Sequence, residues 1–375
     1  MTPNDAERET LLRTIESRGV LGKRFDDLKR LGTAGGDGYF SLIVTARDNQ
    51  TSQRVALKFF HPSHLRDQYR WHCFLREPLV LQMFTGKPDI LQCLAPRDEF
   101  TVPFTHMGMS LNIPFTYYAV ELASHDVNAV ILADKWTAVQ KLEAFRLMCR
   151  AVQRIHARHV AHRDLKPSNF LVMADGGLRL SDFGTARDLS DPNGALLPGY
   201  QAPPGDLGYA APEIMAALHD VTPSFALIAD IYSLGAILFE LFARTPLVLH
   251  LFDRATLADL NRTMTMVDRK ARIQTYEAFV ANMANARPLP SLAQFGAAVP
   301  SCALPLVDRL YKSMAAVDYR SRLSNFDKIF SLISTSIWVI QHENTYRRLA
   351  AFRARIREAR ERKRADLQSI DIASH

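Results

Sequence analysis

Residues 224–243, SFALIADIYSLGAILFELFA, constrain the fold more than any other stretch. A helix this apolar belongs either in a membrane or at the centre of a protein large enough to surround it. Asp230 and Glu240 interrupt the run, and carboxylates are costly in lipid, so a buried helix of a soluble core fits better than a membrane span. A chain of 375 residues, 47% of them hydrophobic, can build a sizeable core and points to one large domain or two lobes. Charged residues are 23% and aromatics 9%, the proportions of a globular protein rather than a disordered one. The other apolar run, IFSLISTSIWVI at 329–340, is too short to span a bilayer, and the N-terminal MTPNDAERETLL has no apolar signal region. No transmembrane segment is expected.

Residues 5–30 read as a polar helix with Leu11, Leu12 and Ile15 on one face. Strand-like segments follow, LKRLGTAGGDGYFSLIVTARD and QRVALKFF, joined by the turn-like DNQTS. Residues 64–84 read as a helix interrupted by Pro78, and further strands end near YYAVELA at 117–123. Beyond that the pattern is mostly helical, so a small β-rich part precedes a larger α-rich part. Cys73, Cys93, Cys149 and Cys302 match no metal or disulfide spacing and read as reduced thiols of a cytoplasmic protein. The net charge of +7 is concentrated near the end, with nine Lys/Arg against four acids between Glu343 and Asp366. The rest of the chain is close to balanced, and no nucleic-acid partner is expected.

AHRDLKPSNFLV at 161–172 crowds an acid, a cation, a proline and an amide together. Phosphoryl transfer needs such a set, because it depends on positioning, on cations that neutralise phosphate charge, and on an acceptor for the attacking hydroxyl's proton. Asp164 can accept the proton, Lys166 can stabilise charge on the transferred group, and Asn169 offers an amide oxygen to Mg²⁺. Thirteen residues after Asn169 stands Asp182 of SDFG, a second ligand for the metal. The intervening LVMADGGLRL reads as a hairpin turning at ADGG, which brings Asp182 back beside Asn169.

HRDLKPSN followed by DFG resembles the catalytic core of eukaryotic-type protein kinases. The resemblance implies an α+β bilobal fold, ATP and Mg²⁺ as cofactors, and a protein substrate. Gly36 and Gly38 match the first two glycines of the family's phosphate-covering loop, Ser41 stands at the third, and Ile43 at its valine. Lys58 of VALK resembles the strand lysine that holds the α and β phosphates, and Ala56 leaves room for adenine. Glu77 stands where the glutamate that orients this lysine is expected, although Pro78 follows at once. By the same resemblance Val120 is the gatekeeper, the backbone of Glu121 and Ala123 meets the adenine edge, and Leu171 closes the pocket from below. APE at 211–213 ends the activation segment, Asp230 braces the catalytic loop, and Arg322 pairs with Glu213. The implied parts are a helical extension (1–26), an N-lobe (27–123), a C-lobe (124–339) and a basic amphipathic tail (340–375).

The pattern has departures. Asp206 stands where serine/threonine members of the family carry a threonine that bridges the catalytic aspartate and lysine; it either pairs with Lys166 or faces solvent. Arg163 precedes Asp164, a feature that goes with activation-segment phosphates, yet only Ser190 and Tyr200 carry hydroxyls between Arg187 and Gly205; Asp188 and Asp191 are candidate substitutes for a phosphate. His156, His159 and His162 recur every third residue; the spacing suits a helix end running into the catalytic loop better than a metal site. In the tail, Leu349, Phe352, Ile356 and Ala359 form an apolar stripe on a basic helix that either packs as a cap, extends into solvent, or docks a partner or anionic surface. The functional expectation is a kinase acting on protein Ser/Thr, Lys166 arguing against tyrosine; the alternatives are a catalytically silent scaffold and a small-molecule phosphotransferase.

Overall fold

Period-two alternation governs the first third of the chain. The computed structural model describes residues 3–31, 41–61, 64, 66–106, 109–191, 205–218, 225–251, 254–286 and 288–373. Six strands, β1 (Val20–Leu21), β2 (Phe25–Arg30), β3 (Ser41–Asp48), β4 (Arg54–Phe60), β5 (Cys93–His106) and β6 (Met109–Glu121), pair antiparallel in the order β1-β2-β3-β4-β6-β5. Successive side chains point to opposite faces. Val44, Leu57, Phe59, Tyr117 and Ala119 fill one face, where they bury Leu11, Leu12 and Ile15 of helix α1 (Pro3–Ser17). Sealing those three aliphatic side chains contributes about 1.5–3 kcal/mol each. The opposite face carries Ile43, Lys58 and Tyr118 in one cross-strand row and Ala56 beside Val120 in the next.

The helix expected over 5–30 stops at Ser17. Gly19 and Gly22 adopt φ of +69° and +58°, which glycine alone takes without strain, and they turn the chain into β1 and β2. A Cβ at Gly22 would lie 2.6 Å from the Tyr117 hydroxyl, so this turn also presses against the sheet.

Helix α2 (Gln68–Gln82) starts where the Asp67 side chain accepts a hydrogen bond from the Arg70 N–H. It runs through Pro78 without ending, although proline cannot supply the N–H that would bond one turn back.

The larger lobe holds α3 (Val127–Ala133), α4 (Ala138–His156), α5 (Pro212–Met215), α6 (Phe225–Ala243), α7 (Val248–Leu251), α8 (Arg254–Met266), α9 (Arg272–Ala286), α10 (Leu304–Met314) and α11 (Phe326–Gln341), and α12 (Glu343–Ala373) extends from α11. Short strands β7 (His125–Asp126), β8 (Val160–Ala161), β9 (Phe170–Val172), β10 (Leu178–Leu180) and β11 (Arg187–Asp188) carry the loops between them. Among the described residues α6 is the one helix long and apolar enough to cross a membrane, and 89% of its apolar window is buried inside the protein. It lies against α4 and α10, and both of its carboxylates, Asp230 and Glu240, have partners described below. The bilobal α+β architecture expected from the sequence is the one found.

Candidate active site

The floor of the cleft is built around Asp230. Its carboxylate accepts the N–H groups of His162 (2.8 Å) and Arg163 (2.9 Å), and the His156 ring lies 2.9 Å away. Arg163 has φ of +68°, a left-handed conformation unfavourable for a side-chain-bearing residue. Two N–H groups fixed on one buried carboxylate hold it there, which explains why the apolar central helix carries an acid at this position. His162 is fully buried, with Nε2 2.9 Å from the Ser181 carbonyl and its ring edge-on to Phe183 at 4.9 Å. His156 and His162 are thus packed structural residues, each with its own partner.

Asp164 emerges from this braced loop almost completely buried. Lys166 Nζ lies 3.1 Å from its Oδ2, the Asp206 backbone N–H donates to its Oδ1 (2.7 Å), and the Asn169 amide nitrogen donates to its carbonyl (2.7 Å). Burial raises the Asp164 carboxyl above its ordinary range; Lys166 opposes the rise and Asp182 adds to it. Pro167 opens a single 3-10 turn, Pro167–Asn169, that carries Asn169 to the start of β9.

The hairpin expected between Asn169 and Asp182 is present. Strand β9 pairs with β10 through Val172↔Leu178, Leu171↔Arg179 and Phe170↔Leu180. At its open end both the N–H (2.9 Å) and hydroxyl (3.0 Å) of Ser181 donate to the Asn169 carbonyl, which places Asp182 beside Asn169. Asp182 itself has φ of +61°.

From the roof, Lys58 Nζ reaches Glu77 Oε2 at 2.6 Å and Asp182 Oδ1 at 3.1 Å. Burial works against the ammonium, but Asp182 and Glu77 outweigh it and hold Lys58 above its ordinary range. Burial pushes Glu77 up, with Lys58 pulling against it, while Asp182 is held low, Lys58 and Lys166 overcoming its burial. Pro78 therefore does not displace Glu77. One residue before Glu77, Arg76 donates from Nε (3.1 Å) and a terminal nitrogen (2.5 Å) to the Gly184 carbonyl, tying α2 to the DFG segment. Nothing in the sequence marks Arg76 for this role.

Ala56 and Val120 belong to the large apolar cluster that runs through both lobes, and Ile43 and Leu171 pack against it. The Glu121 N–H donates to the Gln92 carbonyl (3.2 Å), and its carboxylate accepts the Gln92 N–H (2.9 Å). With its N–H engaged, Glu121 can meet a base edge only through its carbonyl; Ala123 follows just outside the strand. Ser41 corrects one expectation: it is buried in β3 opposite Phe60 instead of lying in the covering loop. Gly36 and Gly38 lie outside the described residues, as does Tyr200.

The activation segment is anchored at both ends. Arg322 and Glu213 form a bidentate pair at 2.5 and 2.8 Å, both side chains fully buried, with Arg322 also donating to the Ala316 carbonyl (2.8 Å). At the near end the Arg163 Nε donates to the Thr185 carbonyl (2.8 Å). Burial pushes Arg163 down to about 10, partly offset by Tyr69, while Arg76 and Arg187 depress it further. Asp188, a candidate phosphate substitute, accepts from the Ser190 N–H (2.9 Å) and hydroxyl (2.5 Å), so it is engaged within its own turn. The Lys166–Asp206 pair exists but is long, 3.8 Å, and the Asp206 Oδ1 accepts the Gly208 N–H (2.8 Å). Gly205 has φ of +82°, and a Cβ there would lie 2.3 Å from the Arg163 carbonyl, so the segment passes directly over the catalytic loop. Sequence reasoning missed the Tyr209 hydroxyl, which donates to Glu240 (2.7 Å) and gives the second acid of α6 its partner.

The family model for the protein kinase domain matches residues 30–332. Mitogen-activated protein kinase MPS1 of Pyricularia oryzae is 31% identical over 342 residues, which span 86% of this chain and 73% of that protein. Mitogen-activated protein kinase spm1 of Cytospora mali is 30% identical over 341 residues, 85% and 72% of the two chains. Mitogen-activated protein kinase 15 of Rattus norvegicus is 33% identical over 217 residues, 56% of this chain and 36% of that one. A braced aspartate, a hairpin-delivered DFG and a lysine–glutamate pair thus sit within a domain-length match: the chain belongs to the eukaryotic-type serine/threonine protein kinases.

Proposed function

We propose that Asp164 accepts the proton of a protein Ser/Thr hydroxyl while Lys166 stabilises charge on the γ-phosphoryl group leaving ATP. Lys58, oriented by Glu77, holds the α and β phosphates, and the loop containing Gly36 and Gly38 covers them, with Ser41 fixing its end in the sheet. Adenine lies between Ile43 and Ala56 above and Leu171 below, with Val120 as gatekeeper and its edge read by the backbone of Glu121 and Ala123. One observation carries this reading: Lys58, Asp164, Asn169 and Asp182 converge, linked by the 3.1 Å Lys58–Asp182 contact and the Ser181–Asn169 bonds.

The donor set fits Mg²⁺. Among the described residues the Asn169 amide donates through nitrogen to Asp164, which leaves its oxygen for a cation, and Lys58 contacts only one Asp182 oxygen. Hard oxygen donors suit this ion, which would neutralise phosphate charge between Asn169 and Asp182. We also infer a cytoplasmic protein with free cysteines, a lobe boundary near 123–124, and an anion-directed role for the basic tail.

Incubation with Mg²⁺ and γ-labelled ATP, with Asp182→Ala as control, tests the assignment. Label on protein Ser or Thr, lost in the variant, is expected. Nucleotide binding without transfer would mark a silent scaffold, and transfer only to metabolites a small-molecule phosphotransferase. No observation favours either one: Glu77 keeps its place despite Pro78.

A further inference from the structure

Helix α12 leaves the body of the protein. Its base meets α11, and every residue from Arg347 to Glu361 is exposed. Leu349, Phe352 and Ile356 are 44%, 61% and 37% exposed, so none of the described residues covers them. Between Arg347 and Arg364 stand nine Lys/Arg and two Glu. That local excess equals the +7 of the whole chain, so the remaining protein is formally neutral and the charge resides in this one helix.

The acids, though not the cations, are confined to one side of the helix. With about 3.6 residues per turn, Leu349, Phe352, Ile356 and Ala359 fall on one stripe. Arg353 and Arg360 border it on one side and Arg348 and Arg355 on the other, while Glu343, Glu358 and Glu361 fall on the far side. An apolar stripe flanked by arginines, with the acids turned away, matches an interface whose interior is apolar and whose surface is anionic. We propose that α12 lies in the headgroup region of an anionic membrane, its stripe inserted and its arginines on the lipid phosphates, and so tethers the kinase domain peripherally. The half-exposed Trp338, stacked on His342 at 5.1 Å where α11 meets α12, adds an aromatic ring at the junction.

Other occupants fit less well. A second copy would bring two strongly cationic helices together, and the seven-residue repeat places Lys363 and Asp366 at its next seam positions. Nucleic acid would satisfy the arginines but not three exposed aliphatic and aromatic side chains.

The test is co-sedimentation of the full chain with extruded vesicles of phosphatidylcholine alone or with about 30% phosphatidylserine. Binding to the anionic vesicles only is expected. It should weaken by about tenfold or more in Leu349→Ser/Phe352→Ser/Ile356→Ser, which keeps every charge, and similarly in Arg353→Gln/Arg355→Gln/Arg360→Gln. Thermal unfolding of both variants should match the parent, since the helix stands clear of the core. Absence of vesicle binding overturns the proposal. So does full retention by the triple-serine variant, which would reveal a plain polyanion contact. A dimer in light scattering that the triple-serine change dissociates would assign the stripe to a second copy instead.

Discussion

Two acid–cation pairs hold the site from opposite ends, and they are built differently. Arg322–Glu213 is bidentate, has no solvent exposure on either side chain, and is surrounded by further carbonyl acceptors. Lys58–Glu77 is a single contact from a flexible ammonium that is also shared with Asp182, and the lysine is 13% exposed toward the cleft. A planar guanidinium in a closed fork has one geometry and no reason to leave it. An ammonium between two carboxylates can be re-partnered by a phosphate without leaving a buried charge alone. The first pair fixes the fold of the activation segment and the second is poised for ligand, although both are buried ion pairs.

Removing Glu213 should separate the two most sharply. Glu213→Ala leaves Arg322 buried without a counter-charge, a loss of about 3–5 kcal/mol. Chemical denaturation should show that drop, with activity falling because less protein is folded; a midpoint within error of the parent would mean the pair is not structural. Lys58→Met should do the reverse. Activity falls by about 10²–10³-fold, while stability changes less than in Glu213→Ala, because Glu77, already pushed up by burial, can take a proton when its cation is gone. A larger melting shift for Lys58→Met than for Glu213→Ala would reverse the assignment of roles.

The catalytic loop lies between these extremes. Asp164 is raised by burial and must be ionised to accept a proton, so the rate falls as pH drops through its elevated pKa. Lys166, 3.1 Å away, opposes that elevation, while Asp182 increases it and His162 and the Asp206 N–H help hold it down. Lys166→Gln should therefore move the acidic limb of the pH–rate profile upward by about one unit, besides lowering the rate at every pH. A limb that stays in place would show that Lys166 does not set the ionisation of Asp164.

Much of this was legible in the sequence because chemistry and chain direction coincide there. HRDLKPSN and DFG are joined by a hairpin whose ADGG turn is readable, and the ladder Leu171↔Arg179 returns Asp182 as the spacing requires. Lys58 and Glu77 were legible through family resemblance, and Pro78 proved compatible because the helix absorbs one missing bond. What stayed hidden depends on backbone conformation or on distant partners. The end of α1 is set by two positive-φ glycines inside a stretch whose apolar spacing still looked helical. Ser41 reads as a loop residue because glycine usually occupies that point, yet it opens β3 and pairs with Phe60 of β4. Arg76 meets a carbonyl 108 positions away, and no local pattern encodes such a contact.

Asp206 shows the same limit most clearly. Its side chain suggested a carboxylate competing for Lys166, but its shortest contact with the catalytic loop is the backbone N–H on Asp164, at 2.7 Å. The carboxylate is 3.8 Å from Lys166, 46% exposed, and has one oxygen occupied by the Gly208 N–H. Solvent screens a pair this open to about 0–1 kcal/mol, so the charge should matter less than in either buried pair. Asp206→Asn keeps the N–H and an oxygen for Gly208 while deleting the charge, and its kcat should stay within about fivefold of the parent. Asp206→Thr, which restores the residue usual in this family, should preserve or raise it. A well-folded Asp206→Asn with no measurable transfer would show that the carboxylate itself is required, and the ranking of the three pairs by burial would fail at its exposed end.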